Sequence, residues 1–205
     1  MEISILLLGI LLFIVLVSLI LWLSKERRYK SSLTVSLAYD SWTKDKILEE
    51  LWGDHIHLGF YKDSSRKNDF RDAKVELVHQ LVRWSGLDKL PVGSRILDVG
   101  CGIGGSSRIL AEKYGFNVIG ISISSLQVER ARLLTSNQLN CRFMIMNALD
   151  LKFDPGSFDG VWSVEAGPHM PNKQIYADEM LRVLRPGGVL AVADWNSRDF
   201  SNKPM

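Results

Sequence analysis

A glycine-rich turn that follows an apolar stretch carries the strongest chemical signal in the chain. Residues 96–99 are apolar apart from Asp98, and glycine occupies positions 100, 102, 104 and 105. Glycines let the backbone turn tightly and let a ligand approach it, and a helix that begins there offers unpaired N–H groups. The pattern predicts a ligand-binding turn between a strand and a helix.

Asp98 helps to choose between two classes of ligand for this turn. Gly100, Gly102 and Gly105 also satisfy the G-x-G-x-x-G pattern of NAD and FAD sites. Those sites need a carboxylate about 20 residues further on to bind the ribose, and residues 120–124 contain none. A carboxylate beside the glycines disfavours a pyrophosphate. It favours a cationic ligand such as S-adenosylmethionine (SAM), which carries a sulfonium and an ammonium group.

Histidines are the other side chains that could do chemistry. His55 and His57 lie in an aromatic stretch over residues 39–61, and His169 follows a predicted strand, at the end of the sheet where ligands bind. His79 lies within a predicted helix and is expected to be structural. No two His or Cys residues have a recognised metal-ligand spacing, so we expect no metal site. Two cysteines are too few for a disulfide framework.

The elements that must position these residues follow an alternating pattern. Strands are predicted over residues 95–99, 117–121, 141–146, 158–164 and 189–193. Helices are predicted over 44–51, 69–84, from the glycine turn to 114, over 125–134 and over 173–184. This alternation predicts an α/β fold with a Rossmann-like, doubly wound, mostly parallel sheet. Such sheets usually add strands beyond the fifth, so we expect the chain to be truncated there, with an incomplete core.

The N-terminal segment predicts a membrane anchor. Residues 3–23 are almost uniformly apolar, and as a helix they would span roughly 31 Å, close to the hydrocarbon thickness of about 30 Å. A cleaved signal peptide is the alternative, but Glu2 rather than a basic residue precedes the run. The basic cluster over residues 25–30 predicts a single-pass protein whose catalytic domain is cytoplasmic.

The charge pattern and the segments together give a domain plan. The formal net charge is +2, and the charges beyond residue 30 are mixed in sign, so no basic stripe indicates a nucleic-acid partner. We divide the chain into an anchor (1–24), a basic linker (25–38), a helical and aromatic cap (39–90) and a ligand-binding core (91–205).

Three motifs in order resemble those of class I methyltransferases. Residues 98–104 (DVGCGIG) resemble the first motif, residues 158–163 (FDGVWS) the second, and residues 184–190 (LRPGGVL) the third. The resemblance implies a Rossmann-like fold that binds SAM as the methyl donor.

A narrower resemblance covers nearly everything from residue 39 onward. Residues 52–61 (WGDHIHLGFY), 104–108 (GGSSR) and 164–171 (VEAGPHMP) are similar to the tocopherol methyltransferase group, especially its cyanobacterial benzoquinone methyltransferases. That group implies C-methylation of a prenylated benzoquinol ring, 2-methyl-6-phytyl- or 2-methyl-6-solanesyl-1,4-benzoquinol, in tocopherol and plastoquinone biosynthesis. It also implies a membrane-lipid partner, an anchor in a thylakoid or cytoplasmic membrane, and a lid formed by the aromatic segment.

The resemblance implies a set of cofactor-binding residues. Its members lie in the glycine turn, at the ends of the next strands and in the second motif: Asp98, Gly100, Cys101, Gly102, Gly104, Ser122, Gln127, Asn147, Ala148 and Ser163. Ser122 departs from the family pattern, which has an acid there for the ribose. Ser124 and Gln127 equally fit a helix capping box, and Asn147 fits either an adenine contact or an ordinary loop.

Ring methylation benefits from a base that removes a phenolic proton. His169 is the first candidate, Glu165 orients it or serves instead, and His57 is third; a packing role for His169 is the alternative. Three rival functions remain: a methyltransferase for γ-tocopherol or another lipid or quinone, an NAD-dependent membrane oxidoreductase, and a non-catalytic SAM-binding module.

Overall fold

The computed structural model describes residues 13–18, 31–62 and 69–196. Its helices are α1 (Ser32–Lys44), α2 (Ile47–Trp52), α3 (Phe70–Ser85), α4 (Gly105–Tyr114), α5 (Ser125–Leu134) and α6 (Lys173–Val183). Its strands are β1 (Arg95–Val99), β2 (Asn117–Ser122), β3 (Cys141–Ile145), β4 (Phe158–Val164) and β5 (Leu184–Ala193). Short 3-10 turns occupy Leu87–Lys89 and Gly167–His169.

The five strands form one parallel sheet in the order β3-β2-β1-β4-β5. The order reverses direction after β3, because β1 leads outward to β2 and β3 while β4 returns to the other side of β1. In open α/β sheets, ligands bind at the carboxyl ends of the strands next to such a switch point. The fold therefore brings the ends of β1, β2 and β4 to one place, and the predicted Rossmann-like sheet is confirmed.

Alternating apolar side chains attach helices to both faces of this sheet. On one face, Ile96 of β1 packs with Val82 of α3 and Leu110 of α4. On the other face, Leu97 of β1 packs with Met180 of α6. Successive residues of a strand point to opposite faces of the sheet. Asp98 therefore lies on the same face as Ile96, which α3 and α4 cover.

Helix α1 occupies residues that the sequence analysis assigned mainly to a basic linker. It begins with a capping box in which Ser31 and Thr34 exchange hydrogen bonds. Val35 is its buried residue, and the Ser36 hydroxyl donates to the carbonyl of Ile123 at 3.2 Å. The helix is thus held by contacts with residues far along the chain, which a local pattern does not reveal.

The remaining boundaries differ from the predicted ones by a few residues. β5 begins at Leu184 rather than at residue 189, because Leu184 pairs with Phe158 and the ladder resumes at Gly160 after an irregularity. α2 begins at Ile47 rather than at residue 44, where α1 still runs.

The predicted membrane anchor is not upheld. Most of residues 3–23 lie outside the described residues, and positions 13–18 are helical. Within residues 13–18, 31–62 and 69–196, no helix combines the length and the apolar character needed to cross a bilayer. The described helices are instead short or amphipathic, such as α3, which buries Val78 and Leu81 and exposes Arg71 and Arg83. The prediction of a single-pass membrane protein is therefore wrong on this finding.

Candidate functional site

The main cavity lies at the carboxyl ends of β1, β2, β3 and β4 and has a volume of about 190 Å³. Its walls come from both halves of the sheet and from α1 and the loop over residues 53–61, hereafter the lid. The lining residues that matter below are Tyr39, Trp42, Ile56, His57, Gly100, Gly102, Ser122, Gln127, Asn147, Ala148, Glu165 and His169. Most of the wall is apolar, and the polar groups stand at the strand ends.

The turn between β1 and α4 brings bare backbone to this cavity. Gly100 and Gly102 have φ angles of +80° and +55°, which L side chains rarely adopt. A Cβ at Gly100 would lie 2.6 Å from Cβ of Ala166, whereas a Cβ at Gly102 would have its nearest neighbour, on Ile56, at 3.9 Å. The open side of Gly102 lets a ligand approach the main chain.

A smaller compartment of about 50 Å³ adjoins the main cavity beneath the lid. Gly100, Gly102, His57, Ile56 and Val164 line both spaces. Its polar walls include Asp98, Ser106 and the indole of Trp162.

Asp98 is buried in this compartment. Its Oδ2 accepts a hydrogen bond from the Ser107 hydroxyl at 2.5 Å. Burial raises the pKa of Asp98 to about 7, and the Ser107 hydrogen bond opposes that rise. A cation placed beside this carboxyl would favour the ionised form and lower its pKa again.

Neutral polar groups fill the end of β2, where dinucleotide sites carry an acid. The Ser122 hydroxyl donates to Oε1 of Gln127 at 2.8 Å and accepts from the backbone N–H of Ser124 at 3.2 Å. Ser124 also caps α5 by accepting from the N–H of Gln127. Ser124 therefore has a structural task, while Ser122 and Gln127 line the cavity.

Asn147 and Ala148 follow β3 and line the same side of the cavity. Oδ1 of Asn147 accepts from the N–H of Leu149 at 3.0 Å, which fixes the side chain against its own loop. Ala148 is 7% exposed and offers an apolar contact.

The chain that ends β4 and follows it carries two ionisable groups of the cavity, Glu165 and His169. Glu165 has a φ of +53°, which is uncommon for a residue with a side chain, and such conformations cluster at functional sites. Its Oε1 accepts from the N–H of Leu58 in the lid at 3.0 Å. Burial raises the pKa of Glu165, and the nearby Asp194 adds to that rise.

His169 stands at the end of the 3-10 turn that follows β4. Its ring lies edge-on to Tyr39 of α1, with ring centroids 5.5 Å apart, and Tyr39 in turn meets Trp42. Burial lowers the pKa of His169, and Lys173 lowers it further. The ring is therefore neutral at pH 7, the form that can accept a proton.

Two histidines of the lid form a buried pair. Nδ1 of His57 lies 2.7 Å from the carbonyl of Leu58, so Nδ1 carries the proton and Nε2 is an acceptor. Nδ1 of His55 lies 3.1 Å from that Nε2 and therefore donates to it. Burial lowers the pKa of His55 to about 3 and also lowers the pKa of His57, so the pair is neutral.

Long side chains fasten the lid to the core. Lys74 of α3 donates to the carbonyls of Trp52 and His55 at 2.9 and 2.8 Å, and burial lowers its pKa to about 8. Arg108 of α4 pairs with Asp54 at 2.8 Å and donates to the carbonyl of Ile103. The lid thus rests directly on the helix that follows the glycine turn.

The structure brings most of the predicted site residues together. The three candidate bases, His169, Glu165 and His57, line the main cavity with Gly100, Gly102, Ser122, Gln127, Asn147 and Ala148, while Asp98 and Cys101 line the smaller compartment. Burial raises the pKa of the Cys101 thiol well above its usual range, so Cys101 stays a neutral wall residue.

Two predicted residues lie outside both spaces as their walls are described. A Cβ at Gly104 would lie 2.6 Å from the Phe143 ring. A glycine at this position therefore allows the Phe143 ring to pack against the backbone where α4 begins. The Ser163 hydroxyl donates to the carbonyl of Val99 at 2.8 Å and lies 2.5 Å from the Tyr176 hydroxyl, on the side of the sheet that α6 covers.

Sequence reasoning left several wall residues out of the site. In the sequence, Tyr39 and Trp42 belong to an aromatic stretch, Val35 falls in the predicted linker, and Trp162 is one letter of the second motif. The spacing of Val35, Tyr39 and Trp42 at intervals of four and three residues fits one face of a helix and could have indicated α1.

Within the described parts of the chain, no group of three or more His, Cys, Asp or Glu residues is placed to hold a metal ion. The expectation that no metal takes part stays a prediction.

Comparisons with known proteins decide the family. A family model described as a methyltransferase domain matches residues 97–192. The 2-methyl-6-phytyl-1,4-hydroquinone methyltransferase of Synechocystis is 57% identical over 185 residues, which are 90% of this chain and 58% of that protein. This chain belongs to the methyltransferase family. The resemblance to the tocopherol methyltransferase group is thereby confirmed.

Further relatives agree with this assignment. The chloroplastic tocopherol O-methyltransferase of Arabidopsis thaliana is 40% identical over 165 residues, covering 76% of this chain and 47% of that protein. A solved structure from Galdieria sulphuraria, described as a sarcosine dimethylglycine methyltransferase, aligns with a TM-score of 0.69 at 30% identity, covering 76% of this chain and 59% of that one. The chain spans about half the length of the curated relatives it matches.

Proposed function

We propose that this methyltransferase uses SAM to methylate the ring of a prenylated benzoquinol, 2-methyl-6-phytyl- or 2-methyl-6-solanesyl-1,4-benzoquinol, in tocopherol and plastoquinone biosynthesis. The observation that carries the proposal is that the glycine turn lines two adjoining spaces. The smaller one holds the buried carboxylate of Asp98, and the main one is largely apolar and holds the neutral His169. The 57% identity to the Synechocystis hydroquinone methyltransferase supports the choice of substrate.

The first half of the cavity fits SAM. Asp98 can take a cationic group, Gly100 and Gly102 present main chain, and Ser122 and Gln127 offer neutral hydrogen bonds to ribose hydroxyls. Asn147 and Ala148 suit the adenine ring. When bound, SAM supplies a methyl group that is electrophilic because it is attached to a positively charged sulfur.

This donor set disfavours a dinucleotide. Glu165 is the one carboxylate among the residues described as lining the main cavity, and it stands after β4 rather than after β2. Ser122 therefore leaves a dinucleotide ribose without its usual acid, and Asp98 would repel a pyrophosphate. Both observations weigh against the NAD-dependent alternative.

The second half of the cavity fits a phenolic ring. Tyr39, Trp42 and Met170 supply apolar and aromatic contact beside His169. His169 would accept the phenolic proton of the quinol, and the resulting phenolate would push electron density onto the ring carbon that takes the methyl group from sulfur. S-adenosylhomocysteine would remain, and the methylated carbon would lose its own proton as the ring becomes aromatic again. The lid excludes water from this step and positions the reactants.

The other two candidate bases are less suited to that task. His57 uses both ring nitrogens within the lid, and burial lowers its pKa. Glu165 holds the lid through Leu58, so it serves best as a positioning residue for the wall around His169. A second candidate substrate is γ-tocopherol, which the 40% identity to the Arabidopsis tocopherol O-methyltransferase favours.

Transfer of labelled methyl groups tests the proposal. The purified chain would be given methyl-labelled SAM with detergent micelles that contain 2-methyl-6-phytyl-benzoquinol, its solanesyl analogue or γ-tocopherol. We expect label in the first two lipids and none in the third. Label in γ-tocopherol alone would assign the second candidate, and binding of NADH but not SAM in a parallel titration would overturn the methyltransferase proposal.

Binding of SAM without label in any lipid would contradict the substrate assignment and favour a SAM-binding module. The same assay on a chain extended to the length of the Synechocystis relative is the control that separates the chemistry of the site from the contribution of further residues.

A further inference from the structure

A buried hydrogen-bond donor in the smaller compartment has no protein partner among the described residues. Trp162 of β4 is 0% exposed, and its Nε1 makes no hydrogen bond with the parts of the chain that the structure describes. Its side chain lines the compartment beneath the lid. Buried polar groups without a partner are rare in proteins, so this N–H points to a ligand.

The register of the sheet places this donor beside Asp98. Trp162 pairs with Asp98 across β4 and β1, and paired residues of neighbouring strands point to the same face. The N-terminus of α4 borders the same compartment through Gly105 and Ser106. Gly104, which caps this helix, provides no side-chain hydrogen bond, so the first N–H groups of the helix stay available.

The lid covers the compartment without adding a hydrogen-bond donor or a positive charge from its histidines. The proton on Nδ1 of His55 goes to His57, and the proton on Nδ1 of His57 goes to Leu58, so the Nε2 of His55 is an acceptor. The compartment is lined by two carboxylates, Asp98 and Asp54, and Arg108 neutralises Asp54 through an ion pair. Its donors include the indole of Trp162 and the first turn of α4. A zwitterion with an ammonium group and a carboxylate matches that set.

We propose that Trp162 binds the amino-acid end of SAM, its indole N–H donating a hydrogen bond to the ligand carboxylate while Asp98 accepts from the ammonium group. This inference rests on the proposed use of SAM and adds a binding residue to it. The first turn of α4 stabilises the same carboxylate through its N–H groups and the helix dipole.

A pair of ligands that differ only at the amino-acid end tests the assignment. S-adenosylhomocysteine has that end, and 5′-methylthioadenosine lacks it. Substitution W162F should weaken binding of S-adenosylhomocysteine by about tenfold, the usual effect of losing a hydrogen bond to a charged group, and leave binding of methylthioadenosine unchanged. Titration calorimetry measures both. The control is F116L, which trims another fully buried aromatic ring of the same hydrophobic cluster, so we expect it to change neither affinity.

A spectroscopic measurement on the wild-type chain keeps the test independent of folding in the variant. With ¹⁵N-labelled indoles, the Nε1–H resonance of Trp162, assigned by W162F or by elimination among the six tryptophans, should move on addition of S-adenosylhomocysteine and stay in place with methylthioadenosine. Equal responses to both ligands, or no response to either once they are bound, would overturn the role of Trp162. Failure of the wild-type chain to bind S-adenosylhomocysteine would overturn the proposed function as well.

Discussion

Asp98 carries an electrostatic cost that a cationic ligand removes. Its carboxyl is buried with one hydrogen bond from Ser107, and burial raises its pKa from 3.8 to about 7. A carboxyl whose pKa is higher in the folded state binds more protons there than in the unfolded chain. Its contribution to stability is therefore complete below about pH 3.8 and is lost as the pH rises through 7.

Substitution D98N should remove this pH dependence. We expect the free energy of unfolding of the wild type, relative to that of D98N, to be larger at pH 5 than at pH 8 by roughly 3 kcal/mol, and urea unfolding at both values measures it. The lowered pKa values of His55 and His57 act in the opposite direction, but both proteins contain them and the comparison cancels them. A constant difference between the two proteins would contradict a buried, titrating Asp98.

His169 is the residue whose removal tests the base. We expect H169A to lower kcat by about 100-fold or more, because a positioned base contributes about that much, and to leave SAM affinity unchanged. The wild-type rate should fall on the acid side at a pH below 6.5, since burial lowers the pKa of His169, and this limb should vanish in H169A. The exposed Gln174 in α6 provides a matched control, Q174A. Near-normal turnover of H169A with intact SAM binding would assign the proton to another group.

Single residues differ in how well the sequence predicts them. Asp98, Gly100 and Gly102 follow from the strand and turn pattern, because their chemistry depends on neighbours in sequence. The position of Trp162 beside Asp98 depends on the register between β1 and β4, which no local pattern gives. Ser163 was grouped with the site by its motif, yet alternation along β4 turns its hydroxyl toward Tyr176.

Among the contacts between elements, the lid packs directly against the first turn of α4 at Gly105. A Cβ at Gly105 would come closer to the carbonyl oxygen of Asp54 than real contacts allow, and 2.8 Å from Nδ1 of His55. Gly105 has an ordinary helical backbone, where alanine is favoured over glycine by about 1 kcal/mol. Substitution there therefore disturbs the lid rather than the helix.

G105A should thus loosen the lid while the core remains stable. We expect SAM binding to weaken by about tenfold or more, proteolysis within residues 53–61 to become faster, and the melting temperature of the core to hold. K113A, on the exposed side of the same helix, is the control. Unchanged SAM affinity in G105A would show that the packing of the lid against Gly105 does not affect the binding of SAM.

Helix α1 is attached to the start of α5 by Asp40. Its carboxylate accepts from the Ser124 hydroxyl at 2.5 Å and from the N–H of Leu126 at 3.4 Å, where negative charge stabilises a helix N-terminus. D40A should lower the free energy of unfolding by about 1 kcal/mol and weaken substrate binding, since α1 carries Tyr39 and Trp42. S41A, at an exposed position on α1, should change neither quantity. Chemical denaturation and a substrate titration provide the readouts, and an effect confined to stability would separate α1 from the site.

Local sequence patterns predict some of the helices and strands and miss others. The strands and the helices of the core agree with prediction to within a few residues, apart from the earlier start of β5, because their apolar periodicity is strong. The polar and basic composition around residues 25–36 predicts a linker over much of α1. The local pattern does not reveal the helix, because its hold on the core comes from Ser36 and Asp40. The anchor is predicted from the apolar run, the basic cluster that follows it and the family resemblance, and the helices that the structure describes do not support it.

For the whole molecule, the topology of the sheet explains why the polar and the aromatic halves of the cavity lie next to each other. The switch point between β1 and β4 joins a polar half, built by the ends of β1 to β3, with an aromatic half, built by the end of β4 and α1. The lid crosses both halves and is fastened at Lys74, Arg108 and Glu165. Under the proposed function, the methyl donor would occupy the polar half and the phenolic ring the aromatic half of this space.

The position of the transferred methyl group tests this account most directly. The chain would be incubated with ¹³C-methyl SAM and 2-methyl-6-phytyl-benzoquinol, and carbon NMR of the lipid would distinguish a methyl on a ring carbon from a methoxy group. We predict a ring methyl, because the proposed base, His169, would produce the phenolate that activates the ring carbons. A methoxy product, or no label while SAM remains bound, would contradict ring methylation as the function of this site.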